Sequence, residues 1–344
     1  MKRLSVIIIN YRTPELAIAC TQSLELARAA LPDLRAIVVD GGSGDRSARM
    51  LAAAMAMDGR LDWTEFLALP VNGGFGYANN QALLSLASQG PLPEYVALIN
   101  PDARVLPGAL EAMVAVLERE PRCGAVGALL VHDDGSTQSS AFRFPSVRGE
   151  FCRGARTGLV ERLLCQPPTR IEPEQAGPVP WVTGAAVMLR TAALEQSGLF
   201  DDGFFLYYEE TELMYRLRKK GWTIWHEPRA RVVHEGGAAT QIRDPKTGTP
   251  FQKPLPRYWY EARKRYFALT GGRLYAFAAS LAWLCGNIFW ALRRAITSVP
   301  DSSTQRAVRD MIAYGLWPSR HDSRHAGQPF SGAAGQPPSW MKSR

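Results

Sequence analysis

Four short apolar runs punctuate the first 130 positions, at residues 4–9, 34–39, 61–69 and 95–99. Segments with helical spacing separate them, near 14–30, 46–57, 77–88 and 107–118. Near-continuous apolar strands alternating with helices predict an α/β fold, a Rossmann-like and mostly parallel sheet with helices on both faces. Ligands of such sheets sit beyond the carboxyl ends of the strands. The residues that follow each run are therefore the first candidates for chemistry. They are Asn10-Tyr11-Arg12, the turn from Asp40 through Gly41, Gly42 and Ser43 to Asp45, the loop Asn72-Gly73-Gly74-Phe75-Gly76, and Asn100-Pro101-Asp102.

Beyond residue 125 the pattern loosens into a stretch rich in Arg, Pro and Gly, up to about 178. A second block, 181–237, carries an apolar strand at 182–189, an acidic and aromatic loop, a helix, and a strand at 230–233 that ends in His234. Residues 1–237 thus read as one domain of two halves, 1–130 and 131–237. Residues 238–256 read as a linker or mobile loop. Within 257–318, positions 274–292 hold no charged residue and are flanked by Arg273 and Arg293-Arg294. At about 1.5 Å per residue that run could just cross a bilayer core. Gly286, Asn287 and several Ala and Ser lower its hydrophobicity, so the expectation is a membrane-embedded or interfacial helix. The polar, Gly- and Pro-rich residues 319–344 are expected to be disordered.

Composition sharpens this division. An apolar fraction of 46% in 344 residues is ample for a core. The net charge of +8 is uneven: from Thr240 onward there are 16 Lys and Arg against 5 Asp and Glu, and before it 24 against 27. A basic tail suits nucleic acid or an anionic membrane, and charge alone does not choose. The five cysteines are scattered and odd in number, as in a reducing cytosol. The first apolar run stops at Asn10, too short for a signal-peptide core.

Each polar cluster has a plain reading beside a functional one. The Asp40 turn is either a tight turn with a helix cap or a carboxylate that accepts a hydrogen bond from a base or ribose. The glycines at 73, 74 and 76 allow close backbone approach to a ligand. They make neither a dinucleotide fingerprint, since Asn79 occupies the third glycine position, nor a phosphate loop. Asp102 is a turn residue or a ligand for Mg²⁺ or Mn²⁺. Glu210, Leu213, Met214 and Leu217 have i, i+3, i+4, i+7 spacing, which puts a carboxylate at the head of an inward apolar stripe. Complementing the helix dipole accounts for Glu209 and Glu212, the latter spaced to pair with Arg216. It does not account for an inward Glu210, whose pKa burial would raise toward that of a general base.

Taken in order, these segments resemble the family 2 glycosyltransferases, and most closely their rhamnosyltransferase-like branch. The resemblance rests on 5–11, 38–43, 72–76, 98–102, Gly184-Ala185, and the 204–212 run with His234. It implies a GT-A fold binding a nucleoside-diphosphate sugar, with Asn10, Tyr11, Arg12, Asp40, Asn72, Gly74, Phe75, Asn79 and Asn100 at the donor. It also implies Asp102 and His234 at the metal, and Glu210 with Glu209 as catalytic acids. The chain departs from the pattern twice. Gly41 replaces the usual Asn, and Glu209-Glu210-Thr211-Glu212 replaces Glu-Asp-x-Asp, which lengthens the base by a methylene.

The activity so implied is metal-dependent, inverting transfer of a sugar, rhamnose from dTDP-rhamnose or a sugar from a UDP-sugar. The acceptor is a glycan or polyprenyl-diphosphate-linked glycan of the cell envelope. The enzyme would work in the cytoplasm at the inner face of the plasma membrane, held to its anionic surface. A sugar nucleotidyltransferase would need a basic Gly-rich loop after the first strand, which Asn10-Tyr11-Arg12 is not. An idle nucleotide-sugar-binding scaffold stays open because of the Glu replacements. Nucleic acid is not an expected partner, since no reading motif is present.

Overall fold

The computed structural model describes residues 4–57, 62–235, 254–297 and 306–326, with isolated positions after that. Twelve strands form: β1 Leu4–Asn10, β2 Leu34–Asp40, β3 Thr64–Ala68, β4 Tyr95–Ile99, β5 Ala103–Val105, β6 Cys123–Val131, β7 Ala141–Phe142, β8 Arg170–Ile171, β9 Gly177–Val179, β10 Trp181–Val182, β11 Ala186–Arg190 and β12 Thr223–His234. The helices are α1 Pro14–Ser23, α2 Glu25–Ala30, α3 Ser47–Met55, α4 Phe75–Gln89, α5 Ala109–Arg119, α6 Val147–Ala155, α7 Gly158–Leu163, α8 Thr191–Ser197, α9 Glu209–Lys219, α10 Arg257–Thr297 and α11 Ala307–Asp310.

The main sheet has the order β3-β2-β1-β4-β11-β6-β12-β5, with β9 also on β12. The pairings give β3, β2, β1, β4, β6 and β12 one direction and β11, β5 and β9 the other. This is the expected mostly parallel sheet. Successive residues of its strands feed opposite cores, as strand geometry requires. Val6, Ile8 and Val38 pack with α1, α3 and α5, whereas Ile7, Ile37 and Val39 pack with α4, α8 and α9. Register then aligns the functional ends, with Asn10 beside Asp40 and Ile8 beside Ile99, the last residue before Asn100.

Three differences from the expected elements bear on the site. The 14–30 helix is two helices meeting at Leu24. The 182–189 strand is broken: β10 belongs to a small sheet with β7 and β8, and Thr183-Gly184-Ala185 lead into β11. The strand before His234 runs twelve residues, with its register shifting between Glu227 and Arg231.

The largest difference concerns 257–318, expected to be wholly membrane-associating. Helix α10 kinks at Gly272 (φ 85°), and its first half is part of the domain. Tyr266, Phe267 and Ala262 pack with Phe204. Arg263 is fully buried against Glu150 (2.8 Å) and Arg265 against Asp201 (2.7 Å), so these two charges are spent inside the protein. The second half lays Trp283, Gly286 and Asn287 on α6, where a side chain on Gly286 would strike the Phe151 carbonyl. Its outer face exposes Leu274, Leu281, Ile288, Phe289, Leu292 and Ile296. Residues 319–326, expected to be disordered, fold back instead. Arg265 donates to the carbonyls of His321 and Arg324, and the Ala326 amide donates to Asp201. The expected linker lies mostly outside the described residues, as 236–253.

Candidate active site

At the ends of β1 and β2 the side chains hold one another. Asn10 donates to Asp40 Oδ1 (2.8 Å) and accepts from the Thr13 amide (3.0 Å). Ser43 donates its hydroxyl to Asp40 Oδ1 (2.6 Å) and its amide to Oδ2 (3.1 Å). Asn10 is completely buried and used up, so it fixes the turn and offers no side-chain group to a ligand. Asp40 keeps acceptor capacity on Oδ2. Tyr11 is exposed at the rim, with the Arg12 guanidinium 5.1 Å from its ring centre, and Arg12 also donates to the Ser43 carbonyl. Gly41 departs from the family pattern for a local reason: a Cβ there would lie 3.0 Å from the Asn10 carbonyl oxygen.

The loop at 72–76 meets both this turn and the acidic segment. Gly42 abuts the backbone of Val71 and Asn72. Asn72 accepts from the Gly74 amide and so shapes the turn. Gly74 (φ 93°) has no room for a Cβ beside the Phe205 carbonyl, which accepts from the Phe75 amide at 3.2 Å. Asn79 donates to the Phe75 carbonyl, and its own buried oxygen has no partner. Its neighbour Asn80, not singled out from sequence, ties α4 to the loop ahead of the acids. It bonds the Phe200 amide and carbonyl and the Asp202 carboxylate.

Tyr207 and Tyr208 precede α9 with φ of 72° and 66°. Two consecutive left-handed side-chain-bearing residues cost about 1–3 kcal/mol each and recur where a site must aim a side chain. They lead into α9, where the Cβ of Glu209 packs against Gly76, and Glu210, packed against Gly184, lines a cavity of about 400 Å³. Glu209 (3% exposed) and Glu212 are thus more deeply buried than Glu210. Glu212 pairs with Arg216 (2.7 Å) as its spacing implied. Burial raises the pKa of Glu209 well above the ordinary range, with the charge of Glu210 adding to it, and burial raises Glu210 as well. Burial thus pushes both carboxyls of the pair toward their neutral form, and the two titrate together.

Across Gly184-Ala185, whose Ala185 carbonyl accepts from the Asn100 amide, lies the third group. Pairing of β5 with β12 sets His234 opposite Ala103. His234 Nε2 comes within 3.3 Å of Asp102 Oδ1 and 3.4 Å of Asn100 Nδ2. Gln138, also missed from sequence, donates through its nitrogen to the His234 carbonyl and faces His234 Nδ1 with its oxygen at 3.3 Å. With its proton on Nδ1, toward Gln138, the ring would present a lone pair at Nε2, the arrangement that an outer hydrogen bond gives metal-binding histidines. Asp102 Oδ1 is buried and accepts no hydrogen bond. An orphaned carboxylate oxygen beside an oriented imidazole fits a divalent cation. Among the described residues no cluster of three or more His, Cys, Asp or Glu forms, so further ligands would have to come from elsewhere, such as a diphosphate.

The model of glycosyl transferase family 2 matches residues 5–196. An N-acetylglucosaminyl-diphospho-decaprenol L-rhamnosyltransferase of Mycobacterium tuberculosis is 31% identical over 222 residues, 61% of this chain and 68% of that protein. Among solved structures, the mannosyltransferase PcManGT of Pyrobaculum calidifontis, in complex with GDP-Man and Mn²⁺, superposes with a TM-score of 0.54 at 16% identity. The match covers 91% of this chain and 79% of that one. GalNAc-T7 with UDP, GalNAc and Mn²⁺ gives 0.50 at 13% identity, covering 91% and 54%. These two likenesses concern the fold, a GT-A-like sheet with its flanking helices. By the family match and the 31% identical relative, the chain belongs to the family 2 glycosyltransferases.

Proposed function

We propose that the protein transfers rhamnose from dTDP-rhamnose, with inversion, to an N-acetylglucosaminyl-diphospho-polyprenol in envelope glycan synthesis. The observation that carries this is the placing of Glu210 on a cavity wall, one short crossing (Gly184-Ala185) away from Asp102 and His234. The name of the mycobacterial relative supports the choice of sugar and acceptor. Glu210 takes the proton of an acceptor hydroxyl as that oxygen attacks the anomeric carbon, and the bond from that carbon to the diphosphate breaks. Asp40 and the backbone of the 72–76 loop hold the nucleoside, with Tyr11 and Arg12 at the rim. Asp102 and His234 would hold Mg²⁺ or Mn²⁺, whose charge would favour departure of the nucleoside diphosphate.

The outer face of α10 beyond Gly272 supports attachment to the cytoplasmic side of the plasma membrane. One flank of that helix is committed to α6, so it lies on a bilayer rather than crossing it. Its apolar row enters the interface, and Arg273 and Arg293 meet anionic headgroups.

Thermal stability with dTDP-rhamnose and Mn²⁺ tests the donor site, because a ligand that binds only the native state raises the melting temperature. The parent should gain more with both than with either alone. Asp102→Asn should lose the metal-dependent part and keep its unliganded melting temperature. A metal-dependent shift that survives in Asp102→Asn would remove the metal assignment. A shift with UDP-sugars alone would change the donor.

A further inference from the structure

The loop that leads into the two glutamates, residues 200–208, is held from several sides. Asn80 bonds the Phe200 amide and carbonyl. Asp201 is completely buried, and its Oδ1 accepts from the Gly203 amide (2.7 Å) and from Arg265 (2.7 and 3.0 Å). Phe204 packs with Tyr266 and Phe267, and the Phe205 carbonyl accepts from the Phe75 amide. The other oxygen of Asp201, Oδ2, is met by residues far along the chain. The Ala326 amide donates to it at 2.9 Å, and His325 Nε2 stands 3.6 Å away. Arg265 grips the same segment, donating to the carbonyls of His321 (3.0 Å) and Arg324 (2.8 Å). Asp322 closes it into a turn by accepting from the Ser319 amide and hydroxyl, and faces Lys264 at 3.6 Å. None of residues 319–326 is buried, so the segment's hold on the domain rests on these polar contacts.

Resting on the transferase reading above, we propose that residues 319–326 are a positioning strap: by completing the hydrogen bonding of Asp201, they set the loop that aims Glu210. Tyr207 and Tyr208 hold left-handed conformations, which persist only where the surroundings over-determine them. The strap is the least buried of those surroundings. Loosening it lets the loop relax, while the sheet and its donor edge keep their packing. In the proposed reaction Asp201 and Ala326 touch neither substrate, and their effect reaches the chemistry through the placing of Glu210.

Three variants of the full chain test this. Ala326→Pro lacks the amide that donates to Asp201, Ala326→Ser keeps it, and Asp322→Ala unfastens the other end of the strap. Hydrogen–deuterium exchange reads the loop without reference to activity. In Ala326→Pro and Asp322→Ala the amides of 203–212 should exchange roughly tenfold faster, the loss of about one hydrogen bond, with those of 34–40 unchanged. Turnover in both should fall roughly ten- to hundredfold, as misplacement of a catalytic group by up to about 1 Å brings. Acceptor KM and the thermal shift with dTDP-rhamnose and Mn²⁺ should stay parental, and Ala326→Ser should match the parent throughout. Parental exchange across 203–212 in Ala326→Pro, or faster exchange with parental turnover, would overturn the strap. So would an equal fall of turnover in Ala326→Ser. Should Ala326→Pro not fold, Asp322→Ala decides by the same readouts. If the parent transfers no sugar, the transferase reading falls, and the exchange of 203–212 still decides whether the strap holds the loop.

Discussion

At the residue scale, the proposed mechanism rests on one carboxylate pair, and its environment makes a pH prediction. A base works as the carboxylate, and burial raises both Glu209 and Glu210. Turnover should therefore rise with pH through a limb above the ordinary glutamate value of about 4.3 and level off beyond it. The limb belongs to the pair, since the two titrate together. A turnover profile with its acid limb at or below that ordinary value would contradict the environment described. The candidates themselves were legible in the sequence, because polar residues directly after buried strands have few places to be except the sheet's ligand edge. What could not be read was how each side chain is spent. Asn10 looks like a ligand group but is used up on Asp40 and Thr13, and Glu209 looks like an exposed first-turn acid but is buried. Gln138 carries no pattern at all, and only the fold brings it to His234.

At the scale of elements, strand and helix order followed from periodicity, while breaks in it depended on tertiary contacts. Residues 182–189 read as one apolar strand, yet Gly184 must pass between Phe75 and Glu210, and the strand divides there. The first half of α10 is the stronger case. Arg263 and Arg265 are indistinguishable in sequence from membrane-seeking charge, because their partners Glu150 and Asp201 lie 113 and 64 residues away. Asp201 precedes the acidic loop and binds Arg265, the Gly203 amide and the Ala326 amide at once. Arg265→Met would leave that carboxylate buried without its cation, a change that costs about 3–5 kcal/mol. The midpoint of urea unfolding should fall accordingly, and limited proteolysis should cut earlier near residues 319–326, whose carbonyls Arg265 holds. A loss below about 1 kcal/mol would show that the ion pair does not join these elements.

At the scale of the whole molecule, the proposal gives the sheet edge to the donor, the cavity to the acceptor and the outer face of α10 to a membrane, all on one body. The uneven charge was visible in the sequence, but its division into buried and surface arginines was not. Cutting the chain ahead of the apolar stretch would strip α6 of its cover, so substitution is the cleaner test of attachment. Ile288→Glu with Leu292→Glu should abolish sedimentation with anionic vesicles, which in the parent weakens as salt is raised, and should leave the donor-induced thermal shift in place. Sedimentation equal to the parent would place attachment elsewhere. The central claim is that Glu210 activates an acceptor hydroxyl. Its most direct test is the rate of rhamnose transfer from dTDP-rhamnose to N-acetylglucosaminyl-diphospho-lipid by Glu210→Gln against the parent, with donor affinity measured alongside. The account predicts a rate lower by about two to four powers of ten at nearly unchanged donor affinity; transfer by Glu210→Gln at the parental rate would contradict it.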